Sequence, residues 1–136
     1  MIQGTYSGTG ARAGMPGVNT PASRVQNAGW TLIYWDGYTD GNDFVPPAGT
    51  QVHANILMFG TVTNPGSCCE TYDKSMTPTD MWNIDTKVDD GYVMTGKVTL
   101  LSHWLSSCVT TNNPSTAVYN TTINDVVCSP TFVTDF

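Results

Sequence analysis

This chain contains four cysteines, and their possible pairings limit the folds that it can adopt: Cys68, Cys69, Cys108 and Cys128. Their spacing matches neither a zinc knuckle, nor a redox Cys-X-X-Cys motif, nor a haem attachment site. An even number of cysteines in a weakly charged chain favours disulfides, for which three connectivities exist. The alternative is that all four side chains are buried and reduced.

We favour a bridge between Cys108 and Cys128, because the polar segment at 110–115 is rich in turn-forming residues and suits a closed loop. Closing a loop of about 20 residues is expected to contribute roughly 3 kcal/mol to the free energy of unfolding. Cys68 and Cys69 would then either form a vicinal disulfide, which closes a strained ring, or stay as two free thiols.

The charged residues of the chain are few and mostly acidic. They make up 12% of the 136 residues, against 40% hydrophobic residues, and the formal net charge is −6. Nucleic acids and anionic lipids bind clustered Lys and Arg, whereas the five basic residues here are scattered singly, so we expect neither partner. The surface is rich in hydroxyl and amide groups, which is typical of exported β proteins. The length predicts a single domain over 1–136.

We find no signal peptide pattern in the N-terminal region. No apolar run approaches the length of about 20 residues that is needed to span a bilayer. Export would therefore require that a targeting segment has been removed. We expect the chain to be a fragment of a longer protein.

The pattern of apolar residues predicts an α+β or mainly β domain, built from an antiparallel sheet and one short helix. Residues 1–28 show no periodicity and are expected to form an extended loop. Strands are predicted over residues 30–35, 52–62, 96–101 (extending as far as 104) and 126–128, with an apolar tail at Phe132 and Val133.

The helix is predicted over 78–88. Thr77 is a suitable N-cap, proline occupies the first helical position, and Asp80 lies in the first turn. Gly91 is well placed to end the helix. One apolar stripe is expected at helical spacing, formed by Met81, Ile84 and Val88.

Three carboxylates, Asp85, Asp89 and Asp90, lie at the C-terminal end of this helix beside Lys87. They oppose the helix dipole, and Asp85 and Asp89 are a like-charge pair at i, i+4. Lys87, a bound cation or buried backbone N–H groups could compensate. We favour carboxylates that accept hydrogen bonds from a following turn; a calcium site and a solvated acidic patch are the alternatives.

A second group of oxygen ligands, Asp36, Asp40, Asn42 and Asp43, lies among glycines after the first strand. Such residues suit a hard cation such as calcium. The spacing departs from the EF-hand loop, and the bidentate glutamate is missing. Because Asp, Asn and Gly also dominate ordinary hairpin turns, we favour a turn.

Catalytic motifs are absent from the sequence, and we expect the protein not to be an enzyme. There is no nucleophile elbow, phosphate-binding loop or metal-binding histidine pair, and His53 and His103 lie in strand-like contexts. The tryptophans and tyrosines could form a sugar-stacking surface, but three tryptophans fall where a core would need them: Trp30, Trp82 and Trp104.

Residues 80–91, followed by residues 95–98, resemble a pattern in the C-terminal domains of bacterial type IV pilin-like and pseudopilin-like proteins. Two further stretches are similar to the same family. The first is residues 2–8 with residues 16–23, which resembles the segment after the long N-terminal helix. The second comprises Cys108, residues 117–120, Cys128 and Phe136, which resemble the disulfide-closed tail.

The resemblance implies a pilin-like globular head with a disulfide-closed C-terminal region, which is a second reason to pair Cys108 with Cys128. It implies a structural subunit of a type IV pilus-like or type II secretion pseudopilus-like filament, acting by subunit packing and without catalysis. The expected partners are other pilin or pseudopilin subunits. The expected location is extracytoplasmic, with the full-length precursor in the inner membrane.

The N-terminal apolar helix and cleavage motif of that family do not occur in this sequence, so the isolated domain is expected to be a monomer. The resemblance assigns no role to Cys68 and Cys69. A different class of function is an extracellular carbohydrate-binding or adhesin module assisted by calcium.

Overall fold

The computed structural model describes residues 14–36, 53–62, 71–100, 105–113 and 115–134. Within these ranges, four strands form one antiparallel sheet in the order β1-β2-β4-β3. An α-helix precedes β3 in the chain, so the predicted α+β architecture is confirmed. The elements in chain order are β1 (Gly29–Asp36), β2 (His53–Gly60), α1 (Pro78–Val88), β3 (Val98–Leu100), α2 (Leu105–Cys108) and β4 (Pro130–Thr134).

Strands β1 and β2 pair along their whole length, and both were predicted with nearly the same bounds. Trp30 lies opposite Phe59, and Ile33 lies opposite Ile56. Because side chains alternate between the faces of a strand, these two pairs lie on opposite faces of the sheet. Aromatic and β-branched residues fit such a pleated surface well.

The last strand lies later in the chain than the sequence predicts. The strand expected at 126–128 is wrong: Cys128 makes an isolated bridge with Met76, in which each backbone N–H donates to the other residue's carbonyl, at 2.9 and 3.2 Å. The neighbouring Val126 is exposed. This segment therefore bridges to the residues just before α1 and lies outside the sheet.

The expected apolar tail forms β4 instead, and β4 lies inside the sheet between β2 and β3. Phe132 is opposite Leu57 of β2 on one side and Val98 of β3 on the other. Pro130 occupies the first position of the strand, where its missing N–H is tolerated. Strand β3 begins at Val98, two residues later than predicted, and residues 101–104 lie outside the described part of the chain.

Helix α1 has the predicted bounds and the predicted cap. The backbone N–H of Asp80 donates to Thr77 Oγ1 at 3.1 Å, and the Thr77 hydroxyl donates to Asp80 Oδ2 at 2.7 Å. The expected apolar stripe is wrong at Val88, which is 67% exposed. The buried side chains of the helix are Pro78, Met81 and Asp85, so its inward face carries a carboxylate.

The second helix, α2, is a single turn that the sequence did not reveal, and it ends at Cys108. Cys108 is bonded to Cys128, with a Cα–Cα distance of 5.1 Å, and both side chains are fully buried. The predicted disulfide is therefore confirmed. Cys68 and Cys69 lie outside the described residues.

Two clusters of buried side chains lie on opposite faces of the sheet. The larger contains the disulfide and joins α1, β3 and the segment after α2; its buried members are Met81, Val93, Met94, Val98, Leu100, Cys108, Val109, Tyr119 and Cys128. The smaller contains Ile56 and Met58, with Ile33, Tyr72 and Val133 packed against them.

The tryptophans differ in their environment. Trp30 is half-buried, and its ring centroid lies 4.5 Å from that of Phe59 and 5.9 Å from that of Phe132. Trp82 is 45% exposed, so the expectation that it belongs to the core is wrong. Trp104 lies outside the described residues. None of the helices within the described ranges has the length and apolar character needed to cross a membrane.

Candidate functional site

The end of α1 and the turn that follows it bring three carboxylates together. Asp85, Asp89 and Asp90, here called the acidic cluster, each place one carboxylate oxygen within 4.8 Å of the others. The sequence predicted this group of residues as a candidate site. Each member accepts hydrogen bonds from a different part of the chain.

Asp85 is completely buried. The backbone N–H of Gly91 donates to its Oδ1 at 3.2 Å, and the hydroxyl of Tyr119 donates to its Oδ2 at 2.6 Å. A carboxylate removed from water is costly unless such donors replace the lost hydration. These two bonds explain why an aspartate occupies the inward face of α1.

Burial raises the pKa of the Asp85 carboxyl above its usual value, and the nearby charges of Asp90 and Asp89 act in the same direction. The hydrogen bonds from Tyr119 and Gly91 oppose this effect, since they favour the charged form. Burial, together with the bond to Asp85, raises the pKa of the Tyr119 hydroxyl, so Tyr119 acts as a hydrogen-bond donor.

Asp89 ends α1 and connects it to β3. Its backbone N–H donates to the Asp85 carbonyl at 2.7 Å. Its carboxylate oxygen Oδ2 accepts from the N–H of Val98 at 2.9 Å and from the N–H of Lys97. This side chain therefore anchors the start of β3 to the end of the helix.

Gly96 is required by this arrangement. Its φ is +67°, and a Cβ atom placed on it would lie 2.0 Å from Asp89 Oδ2. A residue with a side chain would meet both a strained backbone conformation and a collision with the carboxylate.

Asp90 organises the turn itself. Its Oδ1 accepts from the N–H of Tyr92 at 2.8 Å, and its Oδ2 accepts from the hydroxyl of Thr95 at 2.8 Å. The expected compensation by hydrogen bonds from a following turn is thus confirmed for all three carboxylates. The exposed Lys87 lies in the last turn of the helix.

The acidic cluster also has the donor set that a hard cation would use. Calcium binds carboxylate oxygens at about 2.3–2.6 Å and takes roughly six to eight oxygen ligands. Asp85, Asp89 and Asp90 would supply three, in addition to their hydrogen bonds within the turn.

The remaining predicted site residues are not tested by the described part of the chain. Asp36 closes β1, whereas Asp40, Asn42 and Asp43 lie outside the described residues. His53 begins β2, and His103 lies outside.

Tyr119 is a member of the site that was not predicted from the sequence. It lies 34 positions from Asp85 along the chain, in the loop that the disulfide closes. Its only sequence signal was its position in the stretch 117–120 that carries the family resemblance.

Comparison of the chain with protein-family models, with curated proteins and with solved structures gives no match in any of the three.

Proposed function

We propose that this chain is the globular part of a structural subunit of a type IV pilus-like or type II secretion pseudopilus-like filament. It would act through packing against other subunits and through contacts at the filament surface, without catalysis. The location that goes with this role is extracytoplasmic, and the precursor would enter the inner membrane. On its own, the domain is expected to be a monomer.

The observation that supports this proposal most directly is the hydrogen-bonded turn between α1 and β3. The residues that carry the resemblance to the pilin-like family, 80–91 and 95–98, are those that build this turn. Asp85, Asp89 and Asp90 all accept hydrogen bonds that hold it. These residues therefore have a structural role, which is to hold the turn. Such a role is consistent with a protein that acts by packing against other subunits.

The Cys108–Cys128 bridge is a second support. It closes the segment that contains Tyr119 and joins it to the larger core cluster. A disulfide is typical of proteins in oxidising compartments. A surface domain of a filament faces such a compartment.

The proposal is tested in the organism that carries the gene. Surface filaments are sheared from wild-type cells and from a deletion strain, and both are labelled with antibodies raised against the purified chain. Label along the wild-type filaments, absent from the deletion strain, is the expected result. Recovery of the protein only in free form in the medium, with unlabelled filaments, would reject the proposal.

The upstream gene sequence gives an independent check. A short basic leader, a prepilin-type cleavage site and an apolar helix are expected before residue 1. An ordinary secretory signal peptide in that place would argue against a filament subunit.

The second candidate function is an extracellular binding module assisted by calcium, and the observation that favours it is the proximity of the three carboxylates in the acidic cluster. The test is the melting temperature with calcium and with magnesium. If this alternative is right, calcium should raise the melting temperature of the wild type, and this rise should be lost in Asp90→Asn. No change at millimolar calcium would remove it.

A further inference from the structure

A groove with aromatic walls lies beside the acidic cluster. It encloses about 330 Å³, and it is formed where α1, the following turn and the disulfide-closed loop meet. Trp82, Tyr92 and Val118 form its exposed rim, and Val93, Ala117 and Tyr119 lie beneath them.

The rim side chains are unusually accessible for their size. Trp82 is 45% exposed, Tyr92 is 69% exposed and Val118 is 56% exposed. A single exposed apolar residue is ordinary. Three large ones that converge from separate segments around one concavity are typical of a binding surface.

The rim is also held in place before any partner arrives. The N–H of Tyr92 is bonded to the Asp90 carboxylate, and the loop that carries Val118 is closed by the disulfide. Val118 is further linked by its N–H to Thr110 Oγ1 at 3.4 Å, and Thr110 N–H donates to the Val118 carbonyl at 3.0 Å. A preorganised groove loses less conformational entropy on binding.

Negative charge lies directly behind this groove. Asp85 accepts hydrogen bonds from Gly91 and Tyr119, and both of these donors line the groove. Asp90 accepts from Tyr92, another lining residue. Lys and Arg do not occur among the described residues that line it. The faces of the aromatic rings add further negative potential.

We propose that this groove binds an arginine side chain of another polypeptide. A planar guanidinium can stack on an indole or phenol ring, and its permanent charge complements the carboxylates of Asp85 and Asp90. The methylene stem of the arginine would cover the exposed part of Val118. Lysine offers the same charge but no planar surface for stacking. The inference does not depend on a filament role.

The direct test is a titration of the full chain with N-acetyl-arginine amide, followed by amide and indole chemical shifts in NMR spectra. The expected result is saturable shifts at millimolar ligand, centred on Trp82, Tyr92 and Val118. Nα-acetyl-citrulline amide has the same shape without the charge. Nα-acetyl-lysine amide keeps the charge of the ε-ammonium group but has no planar group that could stack. Both are expected to bind more weakly. Equal binding of the citrulline compound, or no saturable shift, would overturn the proposal.

Two substitutions localise the binding. Trp82→Leu removes the indole face and should weaken the arginine compound by about fivefold. Val88→Ala is the matched control, because Val88 is an exposed apolar residue of the same helix outside the groove. If Trp82→Leu is misfolded by its NMR spectrum, Tyr92→Leu replaces it. Undiminished affinity in the folded variant would reject the groove as the site.

Choline distinguishes the source of the cation. It carries a quaternary ammonium without a polypeptide, and it is expected to bind less tightly than the arginine compound. Tighter binding of choline would overturn the assignment to a polypeptide partner and indicate a small-molecule ligand.

Discussion

At the scale of single residues, the acidic cluster is held by contacts between side chains that are distant in sequence. Asp85 is buried on the inward face of α1, and Tyr119 donates to it from the disulfide-closed loop. Each residue stabilises the other there, because removing one partner of a buried hydrogen bond costs about 1–3 kcal/mol.

The raised pKa of Asp85 fixes how its contribution to stability changes with pH. The folded state holds this proton more tightly than the unfolded state, whose carboxyl has an ordinary pKa near 3.8. Proton binding by Asp85 therefore makes its full contribution to the free energy of unfolding when the pH is below that ordinary pKa. This contribution is lost as the pH rises through the raised pKa of the folded state.

Tyr119→Phe is expected to lower the free energy of unfolding by about 1–3 kcal/mol. The hydroxyl favours the charged form of Asp85, so its removal raises the pKa of Asp85 further. The loss should be small at acidic pH, where Asp85 is protonated, and should grow as the pH rises through the raised pKa. Urea denaturation over a pH series measures it.

Tyr92→Phe is the control for this variant, since Tyr92 is exposed in the turn beside the same cluster. Its effect should stay within about 0.5 kcal/mol at every pH. A Tyr119→Phe cost that does not change with pH would contradict the bond to an ionised Asp85.

Gly96→Ala tests the contact between Gly96 and Asp89. Gly17 provides the comparison, because its φ is also positive, at +82°, but among the described residues a Cβ there would meet Ala22 alone, at 3.8 Å. Gly17→Ala should cost about 1–2 kcal/mol from backbone strain alone. Gly96→Ala should cost roughly 3 kcal/mol or more, since the collision adds to the strain. Equal costs in thermal or urea unfolding would show that the collision is relieved.

At the scale of elements, helix α1 begins through local chemistry. Thr77 accepts from the N–H of Asp80 and donates to its carboxylate, so one residue satisfies an N–H that the helix leaves without a partner. Proline at the next position fits the first turn.

Thr77→Ala is expected to lower the free energy of unfolding by about 1 kcal/mol through loss of this cap. Thr79→Ala is the matched control, because Thr79 is exposed in the first turn of the same helix. Its cost should be less than about 0.5 kcal/mol. If chemical denaturation gives the two variants the same stability, the cap contributes nothing.

These local signals explain which elements could be predicted. The bounds of α1 follow from residues within one turn of its ends, and β1 from a run of aromatic and β-branched residues. Strand β4 was misplaced because its partners Leu57 and Val98 lie far away in the chain. Val88 has the spacing of a buried residue, but only the packing of the neighbouring segments decides which face of the helix is covered.

The candidate site likewise contains residues that could be predicted from the sequence and residues that could not. The three aspartates stand close together in the sequence, and their conflict with the helix dipole identified them. Tyr119 reaches them only through the fold, and the groove beside them combines three segments. Such contacts leave no periodic pattern in the sequence that could have revealed them.

At the scale of the whole molecule, the disulfide joins the end of α2 to the segment that bridges to the residues before α1. Cys108 ends α2, Cys128 bridges to Met76 before α1, and β4 begins two residues later. The bridge therefore lies in the larger core cluster and fixes the loop that carries Tyr119.

The double variant Cys108→Ala with Cys128→Ala should lose roughly 3 kcal/mol of unfolding free energy, as expected for a closed loop of this length. Guanidinium denaturation measures the loss, and peptide mapping of the wild type without reductant should recover the two cysteines in one linked fragment. The variant should also respond less to reductant than the wild type does. Two unlinked thiols in the native protein would contradict the fold described above.

The position of β4 in the sheet has a consequence for biogenesis. β4 follows β1, β2 and β3 in the chain, yet it occupies the place between β2 and β3. A nascent polypeptide emerges in chain order, so β2 and β3 can have no common sheet until residues 130–134 have left the ribosome or the translocation channel. Assembly of this sheet must therefore follow synthesis of β4, and until then the edge of β2 that β4 covers lacks its strand partner.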